Sequence, residues 1–330
     1  MNELIITNGD LAADLLGAAG YQATILPWRD VLHEGPVPAT ACGHEGDLEA
    51  LSAIRAGFLA GAFKPPLEEI TGDFERRDRT LRGHAAFDRV SLWFEHDLYD
   101  QLQLLQILSF FHGEQRSAEL HLIQADDHLG GQSADGISRL DTLRALVTEG
   151  QMALAATLFR ALRQPAPIDL AAVLDQDLSP LPHMQAALRR LFEELPSARD
   201  GLSRTQRQAL QCIERDGLAP KPLFGAVQAM EEAVFMGDLS FWRCLDELAF
   251  NSVPLIRGLP CRFPRSMADE ERQAYLDARL HLTDAGHAVL SGQGDHAAIN
   301  TIDRWLGGTP IGGGAIWRWH RDAGCLVPPS

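Results

Sequence analysis

The first third of the chain alternates short apolar runs with longer stretches that are apolar at helical spacing. Residues 4–7 read as a short strand, Asn8-Gly9-Asp10 follows, and residues 11–19 carry the helical period until Gly20 stops it. A second strand over 23–26 runs into Pro27-Trp28-Arg29-Asp30 and a loop at 31–38 rich in Pro and Gly. Strand, helix and strand in such close order is the rhythm of a parallel sheet. Residues 48–63 predict a helix, and the highly charged 68–84 predicts an exposed segment or an irregular insertion. Residues 90–94 form a wholly apolar strand apart from Ser91, ahead of Glu95-His96-Asp97 and a helix over 98–111; residues 119–124 close the series as a further strand. Buried short strands between helical patterns predict a mostly parallel, three-layer α/β sheet domain over 1–130.

From residue 139 the period is helical through 139–149, 151–162, 168–174 and 182–195, which suggests a helical connector over 131–200. Three further helices are expected at 202–217, 220–231 and 238–251, with short strands at 254–256 and 280–283. Three helices and a small β element are the order of a winged-helix-like α+β lobe, placed at 201–330. The tail at 303–319 is rich in Gly and Trp: the glycines permit tight turns and the indoles can anchor them, so we expect a folded C-terminal cap. It lacks the strand-to-helix setting of a dinucleotide-binding glycine motif.

Charge sharpens this division. The 330 residues carry a formal net charge of -16, of which residues 1–150, with 24 acidic and 11 basic side chains, hold -13. Such a field repels polyanions, so nucleic acid is disfavoured as a partner; any weak contact belongs to the second half, where a protein partner is an alternative. Five scattered cysteines without a paired spacing indicate neither a disulfide framework nor a cysteine-rich zinc site. The start lacks a basic segment leading into an apolar stretch, and no apolar run approaches the ~18 residues of a membrane span. A cytoplasmic protein with no membrane partner is the expectation.

The polar clusters fall after the expected strands, where open α/β sheets place their ligand crevice. Asn8, Gly9 and Asp10 can present backbone N–H groups to an anion, although Asp10 can equally cap the helix from residue 11. Trp28, Arg29 and Asp30 combine a stacking ring, a planar donor array and a carboxylate; the plainer reading pairs Arg29 with Asp30 and buries Trp28 against the sheet. His33 is a candidate acid or base. In the acidic–His–acidic triplet, His96 can move a proton or ligate a metal, with Glu95 and Asp97 orienting it or acting as base; Asp97 also suits an N-cap with Asp100 at N3. Gln101 shares a helix face with Asp97 and can bind a ligand. Asp10, Asp30 and Asp97 are the candidate ligands for a divalent metal (Mg, Mn or Zn). His44, His112, His121, His128 and His183 show no ligand spacing and read as ordinary residues, and Cys42 near His44 makes a weak case for thiol catalysis. No nucleophile elbow, phosphate loop or kinase set is present.

Three strings, NGD, PWRDVLHEGPVP and WFEHDLYDQLQLLQ, together resemble the signature of a bacterial family defined by an N-terminal domain of unknown function (DUF1835-like). FMGD at 235–238, LTDAGHAVL at 282–290 and NTIDRWLGG at 300–308 resemble the C-terminal part of the same family. The resemblance implies that the residues from Asn8 to Gln101 named above act as one package, and it brings no activity with it. Two functional expectations follow. One is a metal-assisted hydrolase or transferase acting on a phosphorylated or nucleotide-like small molecule, a small anionic ligand. The other is a regulatory protein that senses a small molecule and contacts nucleic acid or a protein through its winged-helix-like half.

Overall fold

The structure, a computed structural model, describes the chain apart from Met1, 41–47, Lys64, 127–128, 264–268, Ala315 and Ser330. Cys42, His44 and His128 therefore lie outside the described residues. The chain divides into two compact units, Met1–Leu188 with Trp305–Thr309, and Arg189–Arg304 with Pro310–Ser330.

The first unit is built on a five-stranded sheet. Strand β1 (Glu3–Asn8) and helix α1 (Gly9–Ala18) lead to β2 (Thr24–Trp28); helices α2 (Leu48–Phe63) and α3 (Leu67–Arg82) lead to β3 (Arg89–Glu95). Helix α4 (Leu98–Gly113), β4 (Glu119–Ala125), α5 (Ala134–Asp141) and β5 (Ala145–Leu146) complete it. The order is β2-β1-β3-β4-β5, with all pairings parallel except that of β5. All four strands expected from the sequence share this sheet. Alternation assigns the faces: Ile5, Trp93, Ile123 and Ala125 pack with Ala12 and Leu16 of α1 and Ile137 of α5. Trp28 points to the opposite face, where its indole Nε1 donates to Gln106 of α4 at 3.1 Å. Helix α6 (Glu149–Leu162) packs on α4 in turn, so α4 is enclosed almost all round, from Asp100 to Phe111.

Residues 68–84, expected as an exposed segment or an irregular insertion, form most of α3. The charge obscured an amphipathic pattern: Phe74 and Leu81 are buried, and Arg77 and Asp78 are buried as a pair with Ser52. Arg77 lays its guanidinium over the Trp28 ring at 4.1 Å, so a charged residue contributes to the core. The helix expected over 139–149 likewise gives way to β5, an exposed two-residue edge strand invisible to any period, before a Thr148–Gln151 capping box starts α6. Helix α7 (Ile168–Ala172) follows, and the division between units falls at Leu188 within α8 (Met184–Phe192), inside the stretch expected as one connector. The tail returns to the first unit at Gly307 and Gly308, where a Cβ would stand about 2 Å from the carbonyl oxygens of Leu162 and Arg163. Only glycine permits that approach, which the Gly308 N–H to Leu162 oxygen bond of 2.8 Å closes.

In the second unit α9 (Arg204–Asp216), α10 (Pro220–Gln228) and α11 (Asp238–Ala249) precede β6 (Ile256–Arg257), α12 (Asp269–Leu276) and β7 (His281–Leu282). A Ser203–Gln206 capping box starts α9, and Gly217 at φ +57° ends it. Strands β6 and β7, with α12 between them in sequence, pair antiparallel, and the unit's core holds Leu210, Ile213, Leu223, Phe241, Leu245 and Tyr275. Three helices ahead of two short paired strands is the order expected from the sequence, whereas α12 between the strands was not expected. Helices α13 (Asp284–Leu290) and α14 (His296–Ile299) and strands β8 (Asp303–Leu306) and β9 (Thr309–Gly312) follow. An antiparallel pair, β10 (Arg318–His320) and β11 (Cys325–Val327), ends the chain. Among the described residues, no helix is long and apolar enough to cross a membrane.

Candidate functional site: buried carboxylates at the sheet's switch point

The chain leaves β1 for β2 on one side, and β3 lies on the other, with α1 and α4 on opposite faces of the sheet. In open parallel sheets this reversal of strand order is where the loops at the carboxyl ends of the strands diverge and ligands bind. Asn8 ends β1, Glu95 ends β3, and Asp97 caps α4 with its carboxylate on the Asp100 N–H at 3.1 Å.

Glu95, Asp97 and Asp100 form the chemical centre. All three are buried, and each offers one carboxylate oxygen within 4.8 Å of the other two. Asp100 is fully enclosed because it ties the strand ends together: it accepts from the Glu95 N–H at 2.7 Å and from the side-chain amide of Asn8. Burial, and then the charges of Asp97 and Glu95, push its carboxyl well above the usual carboxylate range; the two hydrogen bonds oppose this without cancelling it. Glu95 accepts from the Leu129 N–H at 2.8 Å, and its carbonyl accepts from the Gln101 amide at 2.6 Å. The other end of that amide, Gln101 Oε1, is buried with no hydrogen-bond partner among the described residues.

His96 is half-buried, and its Nδ1 is enclosed without a hydrogen-bond partner. Its ring meets His183 edge-on at 5.9 Å between centroids. Burial, then the neighbouring His96, pushes His183 down, with Asp126 opposing. Sequence reasoning passed over His183, and the 86 residues between it and His96 carry no spacing signal that could have found it.

At β1, helix α1 begins at Gly9, two residues earlier than a cap at Asp10 requires. Asn8 is the N-cap residue but makes no side-chain bond to the helix, since its amide serves Asp100. Gly9 adopts φ +63° with open space where a Cβ would stand. Asp10 sits in the first turn, exposed, and is gripped by Arg29 Nε and Nη2 at 2.6–3.1 Å; Arg29 also reaches Asp73 at 2.7 Å.

The β2 end is structural. Trp28 is buried with its ring face taken by Arg77, so it offers no ligand a stacking surface. Asp30 does not pair with Arg29. It is fully buried against Arg55 of α2, with Nε and Nη2 at 2.9 and 2.8 Å. Arg55 also donates to the carbonyls of Val31, Glu34 and Pro36, pinning the loop that holds His33. The one arginine of a mostly apolar helix was the available signal for this partner. His33 is buried edge-on to Tyr99 at 5.5 Å and lies 3.8 Å from the Glu34 carboxylate. Tyr99 stands between the two regions: burial and then Asp30, Asp100 and Asp97 raise its pKa.

The predicted metal set of Asp10, Asp30 and Asp97 is thus not assembled. Asp10 and Asp30 are committed to separate arginines, and Asp97 instead joins Glu95 and Asp100. Three carboxylate oxygens are hard donors and suit Mg or Mn better than Zn. Compared with known protein families and with curated proteins, the chain matches none.

Proposed function

We propose that the first unit is a metal-assisted hydrolase or transferase for a phosphorylated or nucleotide-like small molecule, with Glu95, Asp97 and Asp100 as the ligands of Mg or Mn. The observation that carries this reading is the convergence of three buried carboxylates at the switch point of a parallel sheet. Three such groups need either shared protons or a cation, and the buried, unpartnered Gln101 Oε1 beside them adds a fourth acceptor facing the same need. When bound, the cation supplies Lewis-acid polarisation of a phosphoryl oxygen and a more acidic water. The start of α1 receives the phosphate, because its first N–H groups lack a side-chain cap and Gly9 leaves room above them. His96 transfers the proton through its unpartnered Nδ1, with His183 holding the ring from the side. Kinship with the DUF1835-like family and a reducing cytoplasmic setting belong to the same proposal; Cys212, Cys261 and Cys325 are free thiols.

Calorimetric titration of the whole chain with Mn tests this. We expect binding that weakens at least roughly tenfold in Asp97→Asn and Asp100→Asn, with phosphatase or phosphotransferase activity lost in parallel and His96→Ala losing activity but retaining the metal. Absence of Mg or Mn binding at millimolar concentration overturns the reading.

A further inference from the structure

The second unit holds a concentration of positive charge of its own. Ser197 and Trp319 pair in parallel through an isolated bridge, with Ala198 N–H on the Trp319 carbonyl and Trp319 N–H on the Pro196 carbonyl, both at 3.0 Å. Two residues further along each segment, Arg199 and Arg321 leave the same end of this bridge. Arg207, on the second turn of α9, donates to the Leu290 carbonyl at 3.4 Å, and the Arg199 guanidinium lies against Gly292 two residues on. Gly292 sits at φ +79°, and a Cβ there would be 3.2 Å from Arg199 Nε. Three guanidiniums therefore gather where the 197–203 loop, the end of α13 and the β10–β11 turn meet.

Their compensation is incomplete. Asp200, fully buried, pairs with Arg207. Among the described residues no carboxylate pairs with Arg199 or Arg321, and the buried Arg321 Nε has no hydrogen-bond partner. The acidic groups nearest Arg321 are engaged elsewhere: Glu193 by Arg204 at 2.8 Å, and Glu194 by Arg190 at 2.7 Å and Thr205 at 2.6 Å. Arg318 is bound to Asp295. Burial, followed by the like charges of Arg321 and Arg199, pushes Arg207 down from the ordinary guanidinium value, the response of a partly enclosed cation among like charges.

We infer that Arg199, Arg207 and Arg321 form a binding site for one phosphate group carried on a small phosphorylated molecule. Two guanidinium charges left over after Asp200 match one phosphate dianion, and planar N–H forks suit its oxygens. A nucleic-acid backbone is the poorer match, since the chain's net charge of -16 repels a polyanion at long range while a single phosphate needs only the local field.

The test titrates the full chain, with chelator present, using inorganic phosphate, a simple alkyl phosphate and a DNA duplex. Arg199 and Arg321 are the residues to replace, because Arg207→Gln would strand the buried Asp200. The alkyl phosphate should bind at least as well as inorganic phosphate, each of Arg199→Gln and Arg321→Gln should weaken it roughly tenfold, and Arg199→Lys should recover part of the loss. Unchanged melting temperatures in these variants show that the fold is intact. The inference fails if the double Gln variant binds the alkyl phosphate as well as the parent, or if only inorganic phosphate binds. Duplex binding with a steep salt dependence that the alkyl phosphate does not compete for would also overturn it, in favour of nucleic acid.

Discussion

Asp100 in the first unit and Glu194 in the second are both enclosed carboxylates, yet their protonation moves in opposite directions. Burial acts to raise both. At Glu194 the Arg190 charge and hydrogen bonds from Thr205 and Arg190 overcome it, and the carboxyl ends below its ordinary value. At Asp100 the neighbours are two more carboxylates, which add to the burial, and the carboxyl ends well above. The lesson concerns what each is for. A buried charge that meets its counter-charge holds elements together, here α8, the start of α9 and Glu231. A buried charge surrounded by its own kind is costly to the fold alone, and in the proposed function this is the charge that a cation would offset.

The largest effect that bears on this contrast is expected at Arg190. Its loss strands Glu194 and Glu231 at their present positions, so Arg190→Met should destabilise the second unit by about 3–5 kcal/mol in urea denaturation followed by tryptophan fluorescence. A loss under about 1 kcal/mol would break the comparison.

Next comes His296, buried and held at about 4 by burial first and then Arg304, against an ordinary 6.5. The folded state binds its proton less readily than the unfolded state, so the stability it protects is whole above pH 6.5 and is lost as pH falls toward 4. That loss should reach roughly 3 kcal/mol, read from hydrogen exchange across α14, and should shrink in His296→Asn.

Asp100→Asn should do the reverse of an ordinary buried substitution. The raised carboxyl favours the protonated fold, so the native protein loses stability as pH rises from about 4 through the folded pKa. In chelator at pH 7 to 8 the asparagine variant should therefore be more stable than the parent by on the order of 1 kcal/mol or more, an advantage that vanishes near pH 4. Equal denaturation midpoints at both pH values would remove the idea that this carboxylate stores unfavourable charge.

The smallest effect belongs to Arg29, whose contacts to Asp10 and Asp73 are largely solvent-exposed. Arg29→Ala should change stability by no more than about 1 kcal/mol, and less in high salt, because exposed pairs are screened. A larger change would mean that this pair, like Asp30–Arg55, is part of the core.

How much of this was legible beforehand depended on the range of the signal. The four parallel strands, the helices after β1 and β3 and the Asp97 cap were readable from residues 4–19, 23–26, 90–111 and 119–124, because period and capping are local properties of the backbone. The same local reading placed Glu95, His96 and Asp97 at the carboxyl end of a strand. It also found the glycines of the tail, whose tight turns any fold of these residues would need.

The partners were a different matter. That Asp30 belongs to Arg55 and Arg29 to Asp10, that Asp100 completes the acidic cluster, that His183 meets His96, and that Arg199 and Arg321 share one end of a bridge were decided by tertiary structure alone. A charged side chain has the same local sequence signature whether it faces solvent, a counter-ion or a like charge. Only the packing of distant elements sets its burial and its neighbours, and those two quantities determine whether a carboxylate or guanidinium serves the fold or is left for a ligand.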